Sequence, residues 1–195
     1  TIDFGAGDEG FTLSAKAQGS TIAGGAGNDT FVVTTAAAVT TSKLDGGAGN
    51  DAITFSQTLS GSSIAGGAGE DTITVTKLVE ANALVSGDAG SDLMVFSSTV
   101  SKSSVYGGAG GDTIRLLSEV NNSTIDLGAD ADSFSFTSTL SNSNVFAGAG
   151  ADTLTFASAA VLTGGSISGG AGADSLVFAG AVGAITIDSG ADADN

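Results

Sequence analysis

Ten acidic residues recur along this 195-residue chain at nearly constant spacing: Glu9, Asp29, Asp51, Asp71, Asp92, Asp112, Asp132, Asp152, Asp174 and Asp194. Successive members lie 20 to 22 residues apart. Each closes a glycine-rich turn, written most fully as Gly24-Gly25-Ala26-Gly27-Asn28-Asp29. These residue types in this order suit one kind of chemistry. Glycine accepts positive φ and lets backbone carbonyls turn toward a common point, and the aspartate adds a hard carboxylate oxygen. Carbonyl and carboxylate oxygens, about six to eight together, are the donor set that Ca²⁺ prefers. The chain has no His and no Cys, which removes disulfides, thiolate zinc sites and imidazole-based catalysis or metal binding. Acids paired at short range, Asp130/Asp132 and Asp192/Asp194, read as turn ligands rather than a general acid and base. No catalytic residue, no organic cofactor and no enzymatic activity are expected.

The charge balance narrows the partners. There are 21 acidic and 5 basic residues, for a formal net charge of −16, which argues against nucleic acid and anionic membrane surfaces. No apolar run approaches the roughly 20 residues that span a bilayer. The opening Thr1-Ile2-Asp3-Phe4 is not a signal peptide, so any targeting segment is expected outside this chain.

The acids must be held by something that repeats with them. Residues two and four after each acid are apolar, as in Phe31/Val33, Ile53/Phe55, Ile73/Val75, Met94/Phe96, Ile114/Leu116, Phe134/Phe136, Leu154/Phe156 and Leu176/Phe178. The residues between them are mostly Thr or Ser. Period two over five residues is a half-buried strand, and the glycines and the spacing exclude a helix. A second apolar position falls eight after the acid (Leu59, Val79, Val100, Val120, Leu140, Ala160, Val182). A third falls seven before it (Ile22, Leu44, Ile64, Val85, Val105, Ile125, Val145, Ile167). Each repeat therefore predicts two short strands and two turns, with four inward residues. Stacked in register, the repeats make an all-β, right-handed parallel β-solenoid, a flattened β-roll of nine to ten coils of about 20 residues, roughly 45 Å long. Residues 1–195 are expected to form one solenoid, with the extra residues of the longer repeats (Thr34 to Lys43, Ala157 to Ser166) bulging on the far edge.

Stacking brings the acids about 4.8 Å apart. Two such charges repel by roughly 1 kcal/mol in water and about 3.5 kcal/mol at an effective dielectric of 20. A divalent cation between each pair relieves this. The competing reading is a solvated aspartate that caps its turn through side-chain to backbone hydrogen bonds.

The turn resembles the glycine-rich nonapeptide Gly-Gly-x-Gly-x-Asp-x-apolar-x of the RTX (repeats-in-toxin, hemolysin-type calcium-binding) family. Gly24 to Val32 matches at every position, as do Gly46 to Thr54, Gly66 to Thr74, Gly107 to Arg115 and Gly169 to Val177. The resemblance implies Ca²⁺ ions between successive coils along one edge, held by turn carbonyls and sixth-position carboxylates. The ligand residues it implies are Gly24, Gly27, Asp29, Gly46, Gly49, Asp51, Gly66, Gly69, Asp71, Asp92, Gly107, Gly110, Asp112, Asp132, Asp152 and Asp174. RTX rolls usually carry the nonapeptide on both turns; here only one turn per coil has it, so one row of ions is expected. The motif also decays. Phe4, Leu127, Ala147 and Ser189 replace the first glycine, Asp88 the second, and Asp130 and Asp192 the third.

The remaining features read plainly. Ala stands at the third turn position in every copy as a small turn residue. Outward Thr30, Thr72, Thr74, Thr113, Thr153 and Thr155 reflect β-propensity, and the Phe residues form a core ladder. Open strand edges at both ends are the expectation for end-to-end or side-by-side self-association, or for continuation into a longer chain. The reading as a whole is a secreted, calcium-binding structural rod or lattice element of a bacterial surface layer, extracellular fibre or adhesin. The alternative is an ice- or carbohydrate-binding face on the same rod.

Overall fold

A computed structural model describes residues 1–34 and 39–195. The chain winds into a parallel β-solenoid of about nine turns, with no helix among the described residues. Among the described residues, strands of successive coils stack into two parallel sheets, one of 9 strands and one of 17. The small sheet takes the four residues that follow each acid, for example Thr30–Val33 and Ala52–Phe55. The large sheet takes two segments per coil: a long strand that runs into the glycine turn, such as Thr21–Ala26 or Lys43–Ala48, and a short one such as Leu59–Ser60.

Most coils thus have three strand segments where the sequence predicts two; in Thr139–Ala149 and Val161–Ala171 the short and long segments run together as one strand. The reason is a corner that hydrophobic spacing does not reveal. Between the short and long strands the backbone passes through positive φ at Thr41, Gly61, Lys102, Asn122, Asn142 and Gly164. A buried serine follows in most coils. Ser42, Ser62, Ser103, Ser123 and Ser143 each turn a hydroxyl onto the carbonyl two residues back, at 2.8 to 3.0 Å. The serine oxygen in turn accepts the backbone N–H of the preceding coil's corner, as Ser143 does from Ser123 at 3.0 Å.

The core is the set of inward rows read from the sequence. Ile22, Leu44, Ile64, Val85, Val105, Ile125, Val145 and Ile167 face the Phe31-to-Leu154 and Val33-to-Phe156 rows in one continuous cluster. The phenylalanines pack on one another, with Phe134 and Phe156 at 5.5 Å and Phe156 and Phe178 at 4.9 Å between ring centroids. Each fully buried large side chain stabilises the fold by about 1.5–3 kcal/mol.

One positional expectation is corrected. In the 22-residue repeat after Asp152, Leu162 pairs with Leu140 and takes the inward position. Ala160 is buried inside the loop that leads there, and Val182 is exposed. The single extra residue of the repeat after Asp71 falls on the far edge, as expected. It lies at the serine corner, where Ala81 and Asn82 both have positive φ and Ala83 replaces the serine. Of the predicted bulge between Thr34 and Lys43, residues 35–38 lie outside the described residues.

Candidate metal centre

The turn between the long strand and the small sheet carries the acids, and they point inward. Asp29, Asp51, Asp71, Asp92, Asp112, Asp132, Asp152 and Asp174 are all buried, at 1–3% exposure. A solvated turn cap is thereby ruled out, yet part of the capping expectation survives. One oxygen of each carboxylate is taken by the backbone. The N–H of Asp29 donates to Oδ1 of Asp51, that of Asp51 to Asp71 and that of Asp71 to Asp92, each at 2.7 Å. The ladder starts at Glu9, whose N–H donates to Asp29, and continues through Asp174, whose N–H donates to Asp194 at 3.1 Å.

The second oxygen is the anomaly. Oδ2 of all eight buried aspartates has no hydrogen-bond partner. A buried carboxylate oxygen without a partner is costly. Burial accordingly pushes the carboxyls of Asp51, Asp71, Asp92 and Asp112 up to about 6 and that of Asp132 up to about 7. Neighbouring carboxylates push the same way, and the amide from the preceding coil pulls back.

What lies beside Oδ2 is the first glycine of the turn, where the approach is too close for any side chain. A β-carbon on Gly24 would sit 2.1 Å from Oδ2 of Asp29 and 2.3 Å from the carbonyl oxygen of Gly46 in the next coil. At Gly46 the corresponding distances are 2.3 Å to Asp51 and 2.3 Å to the Gly66 carbonyl. The arrangement recurs at Gly66, Gly87, Gly107 and Gly169, where the facing carbonyls belong to Gly87, Gly107, Leu127 and Ser189. Six times, then, a bare carboxylate oxygen and a carbonyl oxygen from the next coil converge beside one residue that only glycine can be without a clash. Among the described residues no three acidic side chains cluster tightly enough to bind an ion by themselves. The donor set is carboxylate plus backbone carbonyl, hard oxygens throughout, and it fits Ca²⁺.

Two coils break the pattern. Leu127 and Ala147 stand at the first-glycine position and are fully buried, so their side chains fill the corresponding space. Asp132 and Asp152 keep the amide ladder but face hydrocarbon. The third glycines Gly27, Gly49, Gly69 and Gly110 tie one turn to the next. Their N–H groups donate to the alanine carbonyl of the next turn, at 2.7 to 3.2 Å, and hold the turns in stack. At Gly27 a β-carbon would lie 1.6 Å from the Gly7 carbonyl, which explains the demand for glycine there. Asp130 takes the same place with φ 80, and its Oδ2 accepts the N–H of Gly110.

Sequence reasoning missed several contributors. Gly87 and Gly169 keep pockets open, and the carbonyls of Leu127 and Ser189 complete pockets although their own side chains break the motif. The fifth-position asparagines are a ladder too: Oδ1 of Asn28 accepts the N–H of Asn50, and Oδ1 of Asn50 that of Glu70. The register of the motif, read coil against coil rather than within one turn, was the available signal.

The RTX calcium-binding nonapeptide repeat (4 copies) matches residues 12–33 and 43–56. Residues 12–33 and 43–56 are therefore similar to RTX calcium-binding repeats, whose ligand is Ca²⁺. The matched coils are those in which the Asn-Asp pairs Asn28-Asp29 and Asn50-Asp51 are intact. No curated protein and no solved structure matches the chain.

Proposed function

We propose that this chain is a calcium-stabilised rod that serves as a structural element of a bacterial cell-surface layer or extracellular fibre. One observation carries the reading: six buried, unpartnered Asp oxygens, each facing the next coil's carbonyl across a glycine-kept space. Five of the pockets are contiguous, from Gly24 to the Leu127 carbonyl, and one is isolated between Gly169 and Ser189. Asp29, Asp51, Asp71, Asp92, Asp112 and Asp174 hold the ions, each with the facing carbonyl. Bound there, Ca²⁺ neutralises the carboxylate row and supplies the partner that Oδ2 lacks.

The chain's own residues do the rest. The Asp ladder fixes one oxygen of each carboxylate on a backbone amide, so the other is presented at the same place in every coil. The hydrophobic rows set the register. A surface or fibre role is supported by the family, by coils of uniform length, and by a composition rich in Gly, Ala, Ser and Thr and poor in Lys. Secretion follows the same support: a chain with this acidic row folds best where calcium is plentiful, outside the cell.

Far-UV circular dichroism and thermal melting, with calcium titrated in and then chelated, test the metal reading. The expected result is a solenoid that gains strand signal and melting temperature with calcium, and loses both on chelation. An unchanged signal and melting point would overturn it. Negative-stain microscopy of the calcium-loaded chain tests the architectural part; particles that stay short and single at high concentration speak against a lattice or fibre role.

A further inference from the structure

The two coils without a metal pocket also differ from the rest in packing. Leu127 and Ala147 add buried side chains at the place where the turns from Gly24 to Gly107 have none. The inward rows beside them are aromatic. Phe134, Phe136 and Phe156 are each at most 1% exposed, and their rings lie 5.5 to 6.4 Å apart between centroids. Phe178 extends the cluster, 4.9 Å from Phe156. Between Asp51 and Asp112 the inward rows hold only Phe55 and Phe96 as phenylalanines. Among the described residues the other ring pairs join Phe4, Phe11 and Phe31, of which Phe4 and Phe11 are only partly buried.

The backbone is also most continuous here. Thr139–Ala149 and Val161–Ala171 are single 11-residue strands that run through the corner. They pair from Thr139 opposite Val161 to Ala149 opposite Ala171. In the pocket coils the same path is interrupted, as between Leu59–Ser60 and Ser63–Ala68. Leu127 has a second part to play. A β-carbon on Gly107 would meet the Leu127 carbonyl oxygen at 2.1 Å and Oδ2 of Asp112 at 2.4 Å. A coil that takes no ion therefore supplies one side of the last of the five contiguous pockets.

We infer that the coils from Thr124 to Ala171 form a calcium-independent clasp, the part of the rod that stays wound longest when calcium is withdrawn and that keeps one side of the Asp112 pocket in place for its return. The inference rests on the calcium reading above. A coil of a solenoid is held by its own burial and by its two neighbours, so opening is local and differs along the rod. One ion, at a free concentration one hundred times its dissociation constant, shifts the opening equilibrium of its coil about a hundredfold. A pocket coil forfeits that factor on chelation. The coils plugged by Leu127 and Ala147 have no ion to forfeit, and their phenylalanine cluster keeps its burial. The bare Oδ2 atoms of Asp132 and Asp152 cost the same with calcium as without it, so they leave the difference unchanged. Calcium then sets how much of the rod is wound: the clasp persists while the stretch from Gly24 to Asp112 closes and opens with the ion.

Hydrogen–deuterium exchange read by mass spectrometry on the full chain, in calcium and in chelator at one pH, tests this coil by coil. On chelation the protection of Ala52–Phe55, Thr72–Val75 and Leu93–Phe96 should fall about a hundredfold or more. That of Ser133–Phe136, Thr139–Ala149 and Thr153–Phe156 should fall less than about tenfold. The double variant Leu127→Gly/Ala147→Gly gives these coils the glycines of the others. It should fold in calcium, by circular dichroism, and lose the residual protection in chelator. Should it fail to fold in calcium, Phe156→Leu, which thins the ring cluster and leaves every pocket intact, replaces it with the same expectation. An equal fall in all coils overturns the clasp and leaves the calcium reading standing. So does protection in chelator that survives only in the pocket coils, or that the variants leave unchanged. Protection that calcium alters in no coil overturns the calcium reading, and the clasp with it.

Discussion

Gly66→Ala tests the metal pocket most directly. The added β-carbon would lie 2.4 Å from Oδ2 of Asp71 and 2.7 Å from the Gly87 carbonyl. Gly66 is not among the residues at positive φ, so alanine brings no left-handed strain. Ala147 already occupies the equivalent place, fully buried, so the solenoid accommodates a methyl group there. Without calcium, displacement of the crowded oxygens costs about 1–3 kcal/mol. With calcium the variant also forfeits one ion. At a free concentration one hundred times the dissociation constant that ion is worth about 2.7 kcal/mol. For a chain of this size the difference is about 5 to 11 °C in melting temperature. Calcium-binding stoichiometry by equilibrium dialysis, with calorimetric melting in calcium and in chelator, is the assay. The expected outcome is one ion fewer, and a melting deficit larger in calcium than in chelator by that margin. Undiminished stoichiometry, or equal deficits in both conditions, would refute the argument.

The converse change, Ala147→Gly, opens a pocket beside Asp152 and should add one ion by equilibrium dialysis, with a stability loss of about 1 kcal/mol in chelator. Asp71→Asn keeps an oxygen to accept the Asp51 amide but removes the buried charge. It should raise the melting temperature in chelator and lower it in calcium, a reversal that differential scanning calorimetry reads directly. The calcium-free chain should also be acid-stabilised. The carboxyls of Asp51, Asp71, Asp92 and Asp112, raised to about 6, and that of Asp132, raised to about 7, bind protons more tightly folded than unfolded. Their contribution is full below about pH 4, near the unfolded value, and is lost as pH rises through 6 to 7. Melting in chelator should therefore fall between pH 5 and pH 8, and the calcium-dependent gain should grow over the same interval as protons cease to compete.

Much of this was readable from residue order alone, because a repeat imposes its register on itself. Period-two apolar positions after each acid, as at Phe31 and Val33, specify a strand and its inward face. The constant spacing of Ile22, Leu44 and Ile64 specifies parallel in-register stacking. The same spacing aligns the acids, so the chemistry of one turn is copied along the rod. Motif decay was legible as well: Leu127 and Ala147 differ from glycine in the one respect that matters, a side chain in a space meant to be empty.

Other features waited for the tertiary structure, for reasons that are physical. The corner after the short strand has no hydrophobic signature. It is made by left-handed backbone at residues as different as Thr41, Lys102 and Asn122, and by serine hydroxyls whose partners lie in adjacent coils. The burial of the acids was not visible either. A turn aspartate reads as solvated until the neighbouring coil is in place to donate an amide to one oxygen and aim a carbonyl past the other. Sequence by itself determined which residues recur and therefore which stack. Only the stacked coils decided that each pocket belongs to two coils at once, because its carboxylate and its carbonyl lie about 20 residues apart in the chain and meet only across the sheet.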